Sequence, residues 1–215
     1  MKLYKTKVNK LSDTINALLS LCKITIMRLL IVDNYDSFTY NLYSLLKDSG
    51  CSDISVMKND KLELAQVAAF DKIVFSPGPG IPEEAPVMNE ILQEYQHRKS
   101  ILGVCLGHQA IGCFYGAKLK LLPMAHHGIS SPLQIIEPRE KLFTGIQEDM
   151  PVGRYHSWVI DEATIPSCLR VTSKAADGCI MSIAHTNFDI RGIQFHPESY
   201  ITSNGNILIR NWLHN

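Results

Sequence analysis

Arg28-Leu-Leu-Ile-Val-Asp33 sets four apolar residues in a row between two charged ends. That is the pattern of a strand buried on both faces of a parallel sheet, where a half-exposed strand would alternate. It predicts a central strand, and the residues after it supply a crossover. Ser37 is placed to cap a helix whose Phe38, Leu42, Leu45 and Leu46 fall on one stripe, and Gly50 stops it. The chain returns through a strand at residues 54–57 and a short helix at 62–69. Lys72-Ile-Val-Phe-Ser76 then repeats the buried-strand pattern and breaks at Pro77-Gly-Pro-Gly80. Residues 86–96 read as a helix with proline in its first turn, and 101–104 as the next strand. Beyond Lys118 the helical period fades. Strands are expected at 133–136, 169–173, 179–183 and 190–195, with a closing helix at 204–213. The whole reads as an α/β fold: an open, mostly parallel sheet with helices on both faces and extra antiparallel strands.

The chain of 215 residues is long enough for one real core and short for two. Lysine plus arginine and aspartate plus glutamate stand at 21 each, so no net field draws the protein to nucleic acid or an anionic membrane. No apolar run approaches the ~20 residues of a membrane span. Six cysteines lie scattered at 22, 51, 105, 113, 168 and 179, without a Cys-x-x-Cys pair. The pattern argues for a reducing cytoplasm and against a disulfide framework or a zinc ribbon. Residues 1–26 carry five lysines and one acidic residue around an apolar patch too short for a signal h-region. They are expected to be a poorly ordered extension or a start-site artefact, with the domain occupying residues 27–215.

Two segments carry chemistry. Gly103-Val-Cys-Leu-Gly107 puts a cysteine between glycines at a strand-to-helix junction, the form of a nucleophile elbow. Small neighbours permit the sharp turn, the helix start favours thiolate, and backbone N–H groups such as that of Leu106 can face an oxyanion. A packed free cysteine in a glycine-rich turn would look the same. In Gly192-Ile-Gln-Phe-His-Pro-Glu-Ser199, Pro197 biases His196 toward an extended backbone. Alternate residues there share a face, so Glu198 can support the His196 imidazole. A base aligned by a third group is what a thiol nucleophile needs. Neither a phosphate loop nor a Gly-x-Gly-x-x-Gly fingerprint is present. His108, three residues after Cys105, is compatible with a metal pair but has no further ligands nearby, so no metal is expected. His126, His127 and His156 read as loop or interface polar residues, Cys113 and Cys179 as core, and Cys51 and Cys168 as incidental.

Five ordered segments, Asp33-Asn-Tyr-Asp-Ser-Phe-Thr-Tyr-Asn41, Ser76-Pro-Gly-Pro-Gly80, Gly103-Val-Cys-Leu-Gly-His-Gln109, Arg154-Tyr-His-Ser157 and Phe195-His-Pro-Glu-Ser199, together resemble the class I, or triad, glutamine amidotransferases. Within that class they are similar to the component II subunits of anthranilate and aminodeoxychorismate synthases. The likeness runs from Met27 almost to the end. It implies a flavodoxin-like sheet, attack of Cys105 on the side-chain amide of L-glutamine, proton transfer by His196 oriented by Glu198, and hydrolysis of a glutamyl thioester. It places Gly78 and Leu106 as oxyanion donors and Gly78, Pro79, Gly80, Gln109, Ser157 and Trp158 around glutamine. Trp158 stands where leucine is more usual, and Ile129 where lysine often stands. The resemblance implies no cofactor in this chain, and ammonia passed to a chorismate-binding synthase subunit, for the tryptophan or the folate pathway. The Asp33 to Asn41 segment argues against the alternative of a free-standing cysteine hydrolase of γ-glutamyl peptidase type.

Overall fold

The computed structural model describes residues 27–214, and the extension expected over residues 1–26 lies outside them. β1 (Arg28–Asp33), β2 (Asp53–Lys58), β3 (Lys72–Phe75) and β4 (Ser100–Val104) are the four early strands. Between and after them run α1 (Thr39–Asp48), α2 (Val87–Tyr95) and α3 (Leu106–Phe114). The strand-rich half adds β5 (Leu119–Leu121), β6 (Ile129–Ile135), β7 (Pro151–Arg154), β8 (Trp158–Ile160), β9 (Leu169–Ala175), β10 (Ile180–His185) and β11 (Ile190–Ile193). Helix α4 (Gly205–His214) closes the described chain.

Nine strands form one sheet in the order β2-β1-β3-β4-β11-β10-β9-β6-β7, while β5 and β8 pair separately. The pairs from β2 to β11 are parallel, and those from β11 outward to β7 are antiparallel. β1 accordingly lies inside the parallel half with both neighbours paired. Its alternation explains its composition. Leu29 and Ile31 pack with Leu42 and Leu46 of α1 and Leu208, Ile209 and Trp212 of α4. Leu30 and Val32 pack with Met88, Ile91 and Leu92 of α2 and Ala110 and Ile111 of α3. All four apolar side chains of β1 are fully buried, each contributing about 1.5–3 kcal/mol.

Several expectations are corrected. Ser37 does not cap α1: the Asp36 side chain accepts from Phe38 N at 2.7 Å and the Asp36 carbonyl from Thr39 N at 3.2 Å, so the turn is closed one residue earlier. The short helix expected at 62–69 is a 3₁₀ segment, Leu64–Ala69, too tightly wound to continue. β5, β7 and β8 were not anticipated, because three- and four-residue strands carry almost no periodicity. Cys51 is core rather than incidental, at 1% exposure. Cys113 is only partly buried and lines a cavity of about 400 Å³ with Trp158. Cys51, Cys105, Cys113, Cys168 and Cys179 are all free thiols.

Candidate active site

β1, β3, β4 and β11 all point their carboxyl ends to one side, where open α/β sheets bind ligands. Asn34, Gly78, Cys105 and His196 follow those ends. Cys105 occupies φ 51°, ψ −100°, between β4 and α3. This is a left-handed φ that costs a non-glycine residue energy and is held only by its surroundings. Those surroundings are visible. Cys105 N donates to Ile193 O of β11 at 2.8 Å, and Cys105 O accepts from Gln109 N at 3.1 Å to start the helix. A Cβ on Gly103 would run into the Gly107 carbonyl, and one on Gly107 would lie 2.5 Å from Phe75 Cβ. The flanking glycines thus let the helix pack directly on β3 and β4.

His196 is presented by backbone clamps. Its N–H donates to Gly153 O at 3.0 Å, and its carbonyl accepts from the Thr202 hydroxyl at 2.6 Å. The expected support of His196 by Glu198 is present, though through a turn at residues 197–198 rather than along an extended strand: Nδ1 meets Glu198 Oε1 at 2.6 Å, with both side chains buried. Tyr155 lies 4.9 Å from the imidazole and Phe38 5.9 Å, both edge-on. Nε2 is not engaged by any other polar group among the described residues and is left for the Cys105 sulfur. Burial opposes a charged imidazole, yet negative charge on the Cys105 sulfur and on the Glu198 carboxylate outweighs it and holds the pKa well above the usual histidine value. The imidazole is therefore poised to take a proton from a thiol.

A cavity of about 260 Å³ opens beside Cys105, lined by Gly78, Pro79, Gly80, Gln109, Ser157 and Trp158, with Tyr155, His126, His127 and His156 completing the wall. This is just below the ~300–1,000 Å³ of most small-molecule sites, which suits a ligand of about ten heavy atoms. Gly78 fits where no side chain could, since a Cβ would lie 2.6 Å from Asn34 Cβ and 2.8 Å from Leu106 Cδ2. The Ser76 hydroxyl accepts from Asn34 N at 2.9 Å and donates to Pro77 O at 2.6 Å. Because a peptide is planar, fixing the Pro77 carbonyl also fixes the Gly78 N–H.

The sequence residues Cys105, His196 and Glu198 come together, as do Gly78, Pro79, Gly80, Leu106, Gln109, Ser157 and Trp158. His156 lies in the loop between β7 and β8, as expected, but it is buried there, at 6% exposure. Its Nε2 takes a hydrogen bond from Arg154 Nε at 3.2 Å, and its Nδ1 lies 3.1 Å from Trp158 O. Burial, with Arg154 beside it, lowers its pKa to about 3. His108 is fully buried against Gly192, and burial lowers its pKa to about 4. Sequence reading passed over Gln194, whose Nε2 lies 3.6 Å from Cys105 Sγ. No local pattern marks it, since β11 ends at Ile193 and residues 194–198 run through a bend and a turn.

The chain belongs to the class-I glutamine amidotransferase family, whose model matches residues 30–215. Among curated relatives, aminodeoxychorismate synthase component 2 of Escherichia coli is 42% identical over 188 residues, 86% of this chain and 99% of its own length. Anthranilate synthase component 2 of Thermus thermophilus is 42% identical over 193 residues, covering 87% of this chain and 92% of its own. A solved structure from Thermoplasma acidophilum, provisionally described as one of the subunits of a GMP synthase, shares the fold at TM-score 0.79 and 22% identity, covering 87% of this chain and 92% of that one.

Proposed function

We propose that this chain is the glutaminase subunit of a chorismate-using synthase, hydrolysing L-glutamine and passing ammonia to a separate synthase chain. The observation that carries the reading is the meeting of Cys105 with the His196–Glu198 pair, from segments about 90 residues apart, beside a pocket of amino-acid size. The Cys105 sulfur attacks the amide carbon while His196 takes the thiol proton. The oxyanion that forms is held by the N–H groups of Gly78 and Leu106, the latter one of the unpaired donors of a helix start. His196 returns the proton to the departing ammonia. Water, deprotonated by His196, then cleaves the thioester, releasing glutamate and restoring the thiol. No step draws on a cofactor.

Gln109 contributes by elimination. Its amide nitrogen already donates to Trp158 O at 2.9 Å and Gln194 Oε1 at 3.2 Å. What it can offer a ligand is its oxygen, an acceptor suited to the α-ammonium of glutamine. The synthase partner is supported by the component 2 relatives, matched over nearly their whole length. Among the described residues no helix is long and apolar enough to cross a membrane, and the free thiols fit a reducing cytoplasm.

Steady-state glutaminase kinetics, alone and with each candidate synthase chain, test the proposal. Partner addition is expected to raise kcat, because an unpartnered glutaminase running at full speed would waste glutamine. An isolated chain already as fast as the complex, and unchanged by either partner, would overturn the dependent-subunit reading.

A further inference from the structure

We infer that Gln194 is a catalytic hydrogen-bond donor to the Cys105 sulfur, its amide held in the donating sense through Gln109 by the Trp158 carbonyl, which Arg154 and His156 hold in place. The inference rests on Cys105 being the nucleophile and adds a residue that the triad does not include.

The direction follows from what each group can do. Arg154 is 2% exposed and anchored by Asp177, which accepts from Nη1 at 2.8 Å. A guanidinium only donates, so the bond from Arg154 Nε at 3.2 Å makes His156 Nε2 an acceptor. The ring proton of neutral His156 therefore sits on Nδ1 and is given to Trp158 O at 3.1 Å. That carbonyl can only accept, so the Gln109 group 2.9 Å away from it is the amide nitrogen. The same nitrogen contacts Gln194 at 3.2 Å, so Gln194 must present its oxygen there. Its NH₂ is left facing Cys105 Sγ at 3.6 Å. Reversing either glutamine amide would place donor against donor or acceptor against acceptor in a dry interior, where Gln194 is 0% exposed.

A donor at the sulfur favours thiolate over thiol and stabilises the same sulfur as leaving group when the thioester breaks. Gln194 is not among the pocket-lining residues, so its effect belongs in kcat and leaves the KM for glutamine nearly unchanged.

The experiment is the pH dependence of Cys105 alkylation by iodoacetamide in the full chain, with steady-state glutaminase kinetics alongside. In Gln194→Met, similar in size but unable to donate, the alkylation midpoint should rise by about one pH unit and kcat fall about 10- to 100-fold, as for the loss of a hydrogen bond to a charged group. A folded Gln194→Met variant whose midpoint and kcat match wild type would overturn the inference. Should that variant not fold, side-chain amide NMR on the wild-type protein decides. The Gln194 NH₂ signals should move as Cys105 ionises, and signals indifferent to it would refute the donor role. Failure of the parent reading looks different: wild-type protein alkylated at Cys105 would then still hydrolyse glutamine.

Discussion

In the proposed mechanism Cys105 has to face the cavity, and its positive φ turns the side chain that way although only 6% of the residue is exposed. Replacing its sulfur by oxygen keeps the turn and removes the thiolate. Cys105→Ser is expected to lose glutamine hydrolysis ~10³-fold or more while its melting temperature stays near wild type. His196→Ala should do similar damage, and Glu198→Gln about 10–100-fold less, because an orienting group contributes less than the base it orients. Serine or alanine variants with wild-type glutaminase rates would remove these residues from the mechanism. At this scale the candidate site formed by Cys105, His196 and Glu198 was legible because each residue carries a local mark: a cysteine between two glycines, and a histidine before proline with a carboxylate two residues on. Gln194 and the Arg154–His156 pair were not, because their role appears only when β7, β8, β11 and α3 meet in space.

The junctions between elements depend on the absence of side chains. Gly78 sits between Asn34 and Leu106, and Gly107 against Phe75, each with a would-be Cβ closer than any real contact. Gly78→Ala must push the loop after β3 away from α3. The Gly78 N–H would then leave the oxyanion position, and loss of one such donor costs about 10²–10³-fold in kcat. Near-wild-type kcat in Gly78→Ala would show that the oxyanion is held elsewhere. The strands and helices of the parallel half were readable within a residue or two, because burial on both faces writes long apolar runs and each crossover helix has its own stripe. The small antiparallel pair β5–β8 was not, since three residues contain no period to read, and at the start of α1 Asp36 competed with Ser37.

For the whole molecule, burial of neutral histidines makes acid a threat to the fold. His108 and His156 titrate at about 4 and about 3, below the ~6.5 of an unfolded chain. Above pH ~6.5 both states are neutral and nothing is lost; as pH falls through that value the unfolded chain gains the protons first. Stability should therefore decline from pH ~6.5 downward, each histidine costing up to about 2 kcal/mol by pH 5. Thermal melts from pH 7.5 to 5 check this, and a Tm that stays flat across the range would contradict it. The overall architecture was legible from β1 outward, but which synthase the chain serves was not, since relatives of both kinds match equally well. The account stands most directly on the covalent intermediate. Protein turning over glutamine is quenched in acid, digested and weighed peptide by peptide. One glutamyl group should appear on the peptide containing Cys105, vanish on alkaline hydrolysis and be absent from Cys105→Ser. Ammonia production without that adduct, or with the glutamyl group on another residue, would contradict it.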